Sequence, residues 1–436
     1  MEAIRVGLLG IGTVGSGTWH VLNRNQSEIM GRAGREIKIT MVADHHTERA
    51  KAVVGGQCEV VSDGNLVVTN PDIDIVVELI GGYDAAKDLV LKAIANGKHV
   101  VTANKALLAV HGDTIFRAAK DKGVIIAFEA AVAGGIPIIK ALREGLTANR
   151  IEWIAGIING TTNFILSEMR EKGLDFDTTL KAAQTLGYAE ADPTFDIEGI
   201  DAAHKATLMS AIAFGIPVQF DKIHVEGITR LDSLDIRYAE QLGYRIKLLG
   251  ITRRMENGIE LRVHPALIPA ERLIANVEGA MNAVLVKSDA VGASLYYGKG
   301  AGAEPTASAV IADLVDIARL EAVDPEHRVP YLAFQPDAMR DTPILPISEV
   351  TTSYYLRLKV KDQPGVLADI TRLLADHSIS IDAFLQKEPR EGETLVDIII
   401  LTHQTQEKNI NAAIAQIEKL RTVAGSVTRI RLEELE

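Results

Sequence analysis

Two residues whose types suit proton transfer, Asp201 and Lys205, lie four positions apart in segment 200–215, whose spacing predicts a helix. Leu208 and Ile212 recur on the same helical face, so the charged pair shares a stripe with apolar residues. An acid and a lysine at this spacing usually form a surface salt bridge. On an apolar stripe the pair is desolvated, and a partly desolvated lysine has a lowered pKa and can donate a proton. The pair is therefore a candidate for carbonyl reduction, which needs a proton donor as the alkoxide forms.

A glycine-rich loop with the pattern G-x-G-x-x-G follows the first apolar segment of the chain, Ile4 to Leu9. Such a loop permits a tight turn and the close approach of a pyrophosphate, which the free N–H groups of the next helix then face. The alternative is a glycine-rich connection without a ligand. The position between a strand and a helix favours a dinucleotide site. The residues concerned are Gly10, Gly12, Thr13, Val14 and Gly15.

Asp44 ends the second predicted strand, where an acid holds a ribose 2′-OH and favours NAD. It lies further from the glycines than usual because segment 31–35 has the composition of an inserted turn. His45, His46 and Arg49 follow closely and would accommodate the 2′-phosphate of NADP. The choice between NAD and NADP stays open at this point, as does the alternative that Asp44 is a turn residue.

The helices and strands that must position these side chains divide into three predicted domains along the chain, with a linker before the last. Short apolar strands alternating with helices up to about residue 133 predict a doubly wound parallel sheet of the Rossmann type, an α/β fold. After Gly134 the alternation becomes irregular, with strands expected at 151–158 and 222–228, which indicates an α+β domain. Segment 325–346 carries five prolines and resembles a linker. Beyond it the order βαββαβ predicts a ferredoxin-like unit.

Composition excludes several classes of protein. The formal net charge of −12 over 436 residues argues against nucleic acid as a partner, because binding it needs a basic face. No apolar run approaches the length of a membrane span. Cys58 is the only cysteine, so no intrachain disulfide forms, and a reducing compartment is favoured. We expect a cytoplasmic protein without a membrane partner.

Seven motifs, taken in order, resemble homoserine dehydrogenase, and the tail from Ser353 resembles an ACT domain, an amino-acid-binding module. The stretch from Gly187 to Lys205 is the most specific. The motifs are Gly10–Gly15, Val77–Gly82, Thr102–Lys105, Asn159–Phe164, Gly187–Pro193, Asp196–Lys205 and Gly298–Ser308. The resemblance implies an NAD(P)-dependent interconversion of L-aspartate 4-semialdehyde and L-homoserine, within threonine, methionine and isoleucine biosynthesis, and feedback regulation by an amino acid such as threonine.

The resemblance also implies a role for particular residues. Lys205 would donate the proton with Asp201 beside it, and Lys105 would reach the reacting centre and the substrate from the nucleotide domain. Further cofactor contacts would come from Thr102, Lys105 and Gly302. The substrate's ammonium would bind Glu190 and Asp196, and its carboxylate Thr161 and Thr162. A monovalent cation such as sodium would bind Glu129 and the main-chain oxygens of Val132, Gly134 and Ile136.

Three other functions compete with this one. Aspartate-semialdehyde dehydrogenase needs a thiolate, for which Cys58 is the only candidate. A hydroxy-acid dehydrogenase with an ACT domain, such as 3-phosphoglycerate dehydrogenase, needs a histidine–carboxylate pair that the pattern does not supply. A nucleotide-sensing regulator gives no reason for Asp201 and Lys205 to share an apolar stripe.

We therefore expect a dinucleotide domain over residues 1–133, a catalytic and dimerisation domain over 134–320, a linker over 321–352 and an ACT domain over 353–436. ACT domains commonly pair, so a homodimer or homotetramer is expected. No residue assigned to catalysis lies beyond Ser308, and the tail carries apolar faces of its own. The tail should consequently be removable without loss of catalysis.

Overall fold

A computed structural model describes residues 2–386 and 394–436. The strands are β1 Ile4–Leu9, β2 Ile37–Ala43, β3 Glu59–Val61, β4 Ile75–Glu78, β5 His99–Thr102, β6 Ile126–Ala127, β7 Ile151–Ile157, β8 His224–Val225, β9 Tyr244–Arg254, β10 Ile259–Pro269, β11 Met281–Ser288, β12 Gly292–Lys299, β13 Thr351–Lys361, β14 Ile381–Gln386, β15 Leu395–Thr402, β16 Thr405–Gln406 and β17 Thr428–Leu432. The helices are α1 Thr13–Arg24, α2 Gln26–Ala33, α3 Thr47–Val54, α4 Gly64–Thr69, α5 Asp84–Ala95, α6 Lys105–Lys122, α7 Ile138–Lys140, α8 Gly160–Lys172, α9 Phe176–Thr185, α10 Thr194–Ile197, α11 Ile200–Phe214, α12 Ser233–Gln241, α13 Ala303–Leu320, α14 Val366–Asp376 and α15 Glu407–Ile417. None of the helices in these ranges is both long and apolar enough to cross a lipid bilayer.

Three sequence-based expectations about local structure are wrong. The inserted turn expected at 31–35 is mostly the end of helix α2, which buries Ile29 and Ala33 and stops at Gly34 with φ +80°. The sequence predicts a helix over 308–320 after the glycine loop, but helix α13 begins at Ala303, because a proline is tolerated in the first turn, where its missing N–H has no helical partner. The strand expected at 222–228 has only the two residues of β8.

The chain forms two compact units, and each is assembled from three segments of sequence. The first unit contains Met1–Gly160, Asp201–Ile223 and Ala280–Thr342. The second contains Thr161–Ile200, His224–Gly279 and Pro343–Glu436. The linear domain borders expected from the sequence stay a prediction, since the chain passes between the units several times.

The first unit contains a six-stranded parallel sheet in the order β3-β2-β1-β4-β5-β6. This order, with strands added on both sides of β1, confirms the doubly wound Rossmann-type fold. Apart from the edge strand β3, its strands are largely buried and rich in valine and isoleucine, as expected for a sheet covered on both faces. The same unit holds an antiparallel sheet in which β11 pairs with β7 and β12.

The proline-rich segment expected to be a linker packs against the first unit over residues 321–342. The guanidinium of Arg328 donates to the carbonyls of Gly123, Glu321 and Val323. The ring of Tyr331 stacks on Phe116 of α6 with centroids 5.8 Å apart. This part of the expected linker is therefore an ordered covering of helix α6.

The second unit contains the C-terminal βαββαβ arrangement together with a long hairpin. Strands β9 and β10 are antiparallel, and β17 pairs in parallel with β10 through Ala266–Arg431 and Leu267–Leu432. Strands β13, β15 and β14 continue the sheet in antiparallel fashion. The ferredoxin-like unit expected from the sequence is confirmed, but it shares its sheet with the hairpin.

Buried ion pairs join the C-terminal region to the rest of this unit. Asp235 of α12 is fully buried and accepts from the Arg357 guanidinium at 2.9 Å and from the Tyr355 hydroxyl at 3.0 Å. Arg431 of β17 is 1% exposed, and its guanidinium donates to Glu226 at 2.9 Å. Removal of residues 347–436 would leave Asp235 and Glu226 without these arginines.

We expect the truncated chain that ends at Pro346 to be less stable, with the loss centred on these pairs. In the full chain Asp235→Asn breaks a buried pair and should lower the free energy of unfolding by about 3–5 kcal/mol. In the truncated chain the same change should cost little, because Arg357 is already absent. Urea denaturation measures both, with Glu256→Gln at an exposed position as the control. An equal cost in the two chains would show that the Asp235–Arg357 pair does not anchor the C-terminal region.

Candidate active site

The glycine loop after β1 has glycine where a side chain would not fit. Gly10 has φ +91°, a backbone conformation that favours glycine. A Cβ on Gly15 would lie 2.3 Å from the Gly10 carbonyl oxygen, and one on Gly17 would lie 2.4 Å from the Ala303 carbonyl oxygen. Gly12 caps α1, and the nearest atom to its Cβ position is Nη2 of Arg49 at 3.8 Å. The N–H groups of α1, including those of Thr13 and Val14, follow at once and suit a pyrophosphate.

Asp44 holds this loop in place. One carboxylate oxygen accepts from the Ile11 N–H at 2.9 Å and the other from the His46 N–H at 2.8 Å. Burial raises the pKa of Asp44, but these two hydrogen bonds, together with the charges of Arg49 and His46, outweigh it and lower the pKa below its usual value. Arg49 donates to the Ile11 carbonyl at 3.1 Å, so both charged residues border the loop.

A buried carboxylate that the sequence analysis did not single out organises the ends of β4 and β5. Glu78 is fully buried and accepts from the Thr102 hydroxyl at 2.6 Å and from the N–H groups of Ile80 and Gly81. Burial raises the pKa of Glu78. Asn104 caps α6, so Lys105 is the first residue of that helix. The contact between Thr102 and Glu78 thus fixes the end of β5, three residues before Lys105.

The two lysines and the aspartate expected to be catalytic lie together in the first unit. Nζ of Lys205 lies 2.6 Å from Oδ2 of Asp201, and Nζ of Lys105 lies 3.2 Å from Oδ1. The Asn159 amide donates to Asp201 at 2.9 Å, and Lys205 also donates to the Ile158 carbonyl at 2.8 Å. The alternative of an exposed salt bridge is excluded, because Asp201 and Lys205 are only 4% and 8% exposed.

The electrostatics keep Asp201 ionised. Its burial alone would raise its pKa, but Lys205, Lys105 and the amide of Asn159 hold the pKa of Asp201 well below its usual range. The ionised carboxylate therefore lies within ion-pair distance of the ammonium groups of both lysines. The neighbouring His204 has its pKa lowered to about 4 by burial, so it is neutral near pH 7.

The residues expected to bind the substrate's charged groups belong to the second unit. Thr161 and Thr162 are buried in the first turn of α8, and the Thr161 hydroxyl donates to the Tyr188 carbonyl at 2.7 Å. Glu190 is exposed in the turn after α9, and Asp196 is partly buried in α10. The structure brings Lys105, Asp201 and Lys205 into direct contact in the first unit. The four residues expected to bind the substrate's charged groups lie in the second unit, on α8, on α10 and in the turn after α9.

The expected cation ligands lie in the crossover after β6. Glu129 is 4% exposed and accepts from the N–H groups of Ile139 and Lys140, and its own N–H donates to Asp313. Burial raises the pKa of Glu129 to about 7, and burial together with Glu129 raises that of Asp313. Two adjacent buried carboxylates suit a cation. Over residues 2–386 and 394–436, no cluster of three His, Cys, Asp or Glu side chains forms a metal site, so the main-chain oxygens of Val132, Gly134 and Ile136 would be needed.

Two further residues were expected to bear on function: Gly302 as a cofactor contact, and Cys58 as the only candidate for a catalytic thiolate. Gly302 caps helix α13 with φ +125°, and α13 packs on α1 through the Ala303–Gly17 approach. The only cysteine, Cys58, is partly buried, and burial raises its pKa to about 11. A thiol of that acidity is not a nucleophile at neutral pH, which disfavours the aspartate-semialdehyde dehydrogenase alternative.

The fold and these contacts define a nicotinamide-dinucleotide-dependent oxidoreductase with an ACT domain. Three protein-family models match the chain and agree with this class. They are "Homoserine dehydrogenase, NAD binding domain" over residues 10–129, "Homoserine dehydrogenase" over 137–315 and "ACT domain" over 354–422. The homoserine dehydrogenase of Pseudomonas aeruginosa is 61% identical over 435 residues, with 100% of both chains covered. The chain therefore belongs to the homoserine dehydrogenase family.

Solved structures agree with this assignment. The crystal structure of a homoserine dehydrogenase from Thiobacillus denitrificans has 68% identity and a TM-score of 0.96, and covers 100% of this chain and 99% of its own. A hyperthermophilic archaeal homoserine dehydrogenase in complex with NADPH has 26% identity and a TM-score of 0.63 over 74% of this chain and 99% of its own.

Lys205→Met should abolish turnover while cofactor binding persists. The change removes the ammonium that contacts Asp201 and Ile158, and loss of a general acid costs on the order of 10²–10⁴ in rate. The glycine loop lies on other elements, so the dissociation constant for NADPH, measured by fluorescence titration, should change little. Lys287→Met, at a partly buried lysine of β11, is the control and should keep turnover. Near-normal kcat in Lys205→Met would remove Lys205 from catalysis.

Proposed function

We propose that this chain interconverts L-homoserine and L-aspartate 4-semialdehyde with NAD(P) as cofactor. The observation that carries the proposal is the buried contact of Lys205 and Lys105 with Asp201 in the unit that also contains the dinucleotide loop. The nicotinamide, when bound, supplies or accepts the hydride. Lys205 donates a proton to the oxygen of the aldehyde as it becomes an alcohol, and Asp201 holds the ammonium in place. Lys105 adds a second positive charge that stabilises the developing alkoxide.

We further propose that the substrate's charged ends bind residues of the second unit. An ammonium favours the carboxylates of Glu190 and Asp196, and a carboxylate favours the N–H groups of Thr161 and Thr162 in the first turn of α8. The burial of both threonines supports a fixed carboxylate site. The exposure of Glu190 leaves its carboxylate accessible to a substrate that enters from solvent, which supports this role.

The cofactor preference is proposed from the residues that border the glycine loop. Asp44 already accepts two backbone hydrogen bonds, and Arg49 lies 3.8 Å from the Cβ position of Gly12. A guanidinium beside the loop suits the 2′-phosphate of NADP, whereas Asp44 suits the ribose of NAD. We propose that both cofactors are accepted.

Regulation and assembly complete the proposal. The ACT domain supports feedback by an amino acid such as threonine, within the biosynthesis of threonine, methionine and isoleucine. Strands β12 and β14 each have a neighbour on one side only, among the residues that the structure describes, and the other edge suits a second copy in a homodimer or homotetramer. A lone, partly buried cysteine supports a reducing compartment, the cytoplasm.

A steady-state assay with L-homoserine and each of NAD and NADP, with and without threonine, tests the proposal. Reduction of either cofactor that depends on homoserine is the expected result. Absence of turnover with both cofactors would overturn the proposed activity. Turnover that threonine leaves unchanged would remove threonine as the regulator and keep the activity.

Glu190→Gln should raise KM for homoserine more than it lowers kcat. The carboxylate is proposed to pair with an ammonium away from the reacting carbon, and such binding is felt equally in the ground and transition states. Glu171→Gln, an exposed change near the end of α8, serves as the control. Initial rates over a range of homoserine concentrations give both parameters, and an unchanged KM would place Glu190 outside the substrate site.

We propose that a monovalent cation such as sodium binds at Glu129, and we expect a pH-dependent effect on stability. The pKa of Glu129 is about 7 in the folded state, above its usual value of 4.5. The free energy of unfolding therefore falls as the pH rises from that usual value to about 7. A bound cation offsets the charge that Glu129 then acquires. Sodium should therefore raise the urea midpoint more at pH 8 than at pH 5.5. Choline chloride at equal concentration controls for ionic strength, and an equal effect of the two salts at pH 8 would argue against a sodium site.

A further inference from the structure

A buried lysine outside the residues assigned so far, Lys247 of β9, contacts the helix that begins with the two threonines. It is 2% exposed. Its ammonium donates to Asn163 Oδ1 at 3.2 Å, to the Val277 carbonyl at 2.6 Å and to Glu278 at 3.3 Å. All three acceptors lie either in the first turns of α8 or in the turn that covers it. The lysine thus directs its donors at one place, the junction between the start of α8 and the turn at 277–279.

Asn163 completes this junction. Its amide nitrogen donates to the carbonyls of Val277 at 3.0 Å and Gly279 at 2.9 Å. A lysine only donates and a carbonyl only accepts, so the Asn163 side chain has one orientation that satisfies both sides. Gly279 in turn donates its N–H to Ser167, one turn further along α8. The start of α8 is held at Asn163 and again at Ser167.

Burial of the Lys247 ammonium is unfavourable because it is desolvated, which indicates that the residue does more than fill space. Burial lowers the pKa of Lys247 to about 8 despite the carboxylate of Glu278. Arg170 and Arg245 nearby act in the same direction. An unbranched apolar side chain such as methionine would fill a similar volume without desolvating an ammonium. The three directed donors are what methionine would lack.

We propose that Lys247 is a positioning residue for the substrate's carboxylate. By fixing Asn163 and the Val277–Gly279 turn, it holds the first turn of α8, and with it Thr161 and Thr162. The inference rests on the proposed function, because it takes these threonines as the carboxylate site. Its effect is on substrate binding, and the proton donor and the dinucleotide loop are untouched.

The test is the division of the effect between KM and kcat. In Lys247→Met, KM for homoserine should rise roughly tenfold, as for loss of one hydrogen bond to a charged group. The values of kcat and of KM for NADP should stay within about twofold, since binding remote from the reacting carbon acts on KM. Lys98→Met is the matched control: Lys98 is also buried and donates to the carbonyls of Asn70 and Ile73 in the nucleotide domain. It should leave KM for homoserine unchanged.

A double-mutant cycle separates positioning from general destabilisation. Asn163→Leu should raise KM as Lys247→Met does, and the double variant should resemble either single one, because both changes break the same contact. Additive effects, an unchanged KM, or equal increases for homoserine and NADP would overturn the proposal. If Lys247→Met does not fold, Lys247→Gln replaces it, and failure of both to fold would make the residue purely structural. Wild-type turnover is measured first: its absence would overturn the proposed function and this inference together, whereas turnover with an unaffected KM in the variant would overturn the inference alone.

Discussion

The architecture of the first unit depends on one buried carboxylate. Asp201 of α11 is contacted by Lys205 of the same helix, by Lys105 at the start of α6 and by Asn159 just after β7. A carboxylate that is 4% exposed is stable only when cations and amide donors satisfy it, so these elements cannot shift without leaving a charge unpaired. The same requirement holds Lys205, the proposed proton donor, in place. Structural constraint and chemistry thus coincide at Asp201.

Buried charges also define the second unit, where they join the hairpin to the ACT domain. Lys247 of β9 is opposite Ala266 of β10, which is opposite Arg431 of β17. The residue that orders the start of α8 and the arginine that anchors the C-terminal strand therefore occupy one row across three adjacent strands. Only two strand pairings separate β17 from β9. The C-terminal strand and the residue that contacts the start of α8 are thus linked by the pairing of adjacent strands.

The dinucleotide loop depends on steric constraints that reach far along the chain. Gly17 admits the Ala303 carbonyl at a distance that no Cβ would allow, so helix α13 packs directly on α1. An ion pair between Arg24 and Glu304 at 2.8 Å lies at the same contact. Gly134 likewise admits the Gly300 carbonyl, with its Cβ position 2.4 Å away. The glycine segment before α13 therefore belongs to the same compact unit as the first loop, although it lies about 290 residues after it.

The sequence by itself determined the elements whose signals are local. Alternating apolar strands and helices predicted the parallel sheet, and the βαββαβ order predicted the ACT domain. The four-residue spacing of Asp201 and Lys205 predicted a desolvated pair, because helical periodicity places neighbouring positions on one face. The family resemblance added Lys105, which the structure brings to 3.2 Å from Asp201. Helix α2 was missed, because a glycine within it resembles a turn.

Only the tertiary structure decided which distant groups meet. The Asn159 amide and the Ile158 carbonyl are 42 and 47 residues from Asp201 and Lys205, and the motif that begins at Asn159 does not by itself indicate these contacts. Lys247 is one lysine within an apolar strand, and its partner Asn163 lies 84 residues away. The pairing of β17 with β10 is equally non-local. Such contacts depend on how packed elements meet and on which charges become buried, and neither is encoded in the periodicity of a single segment.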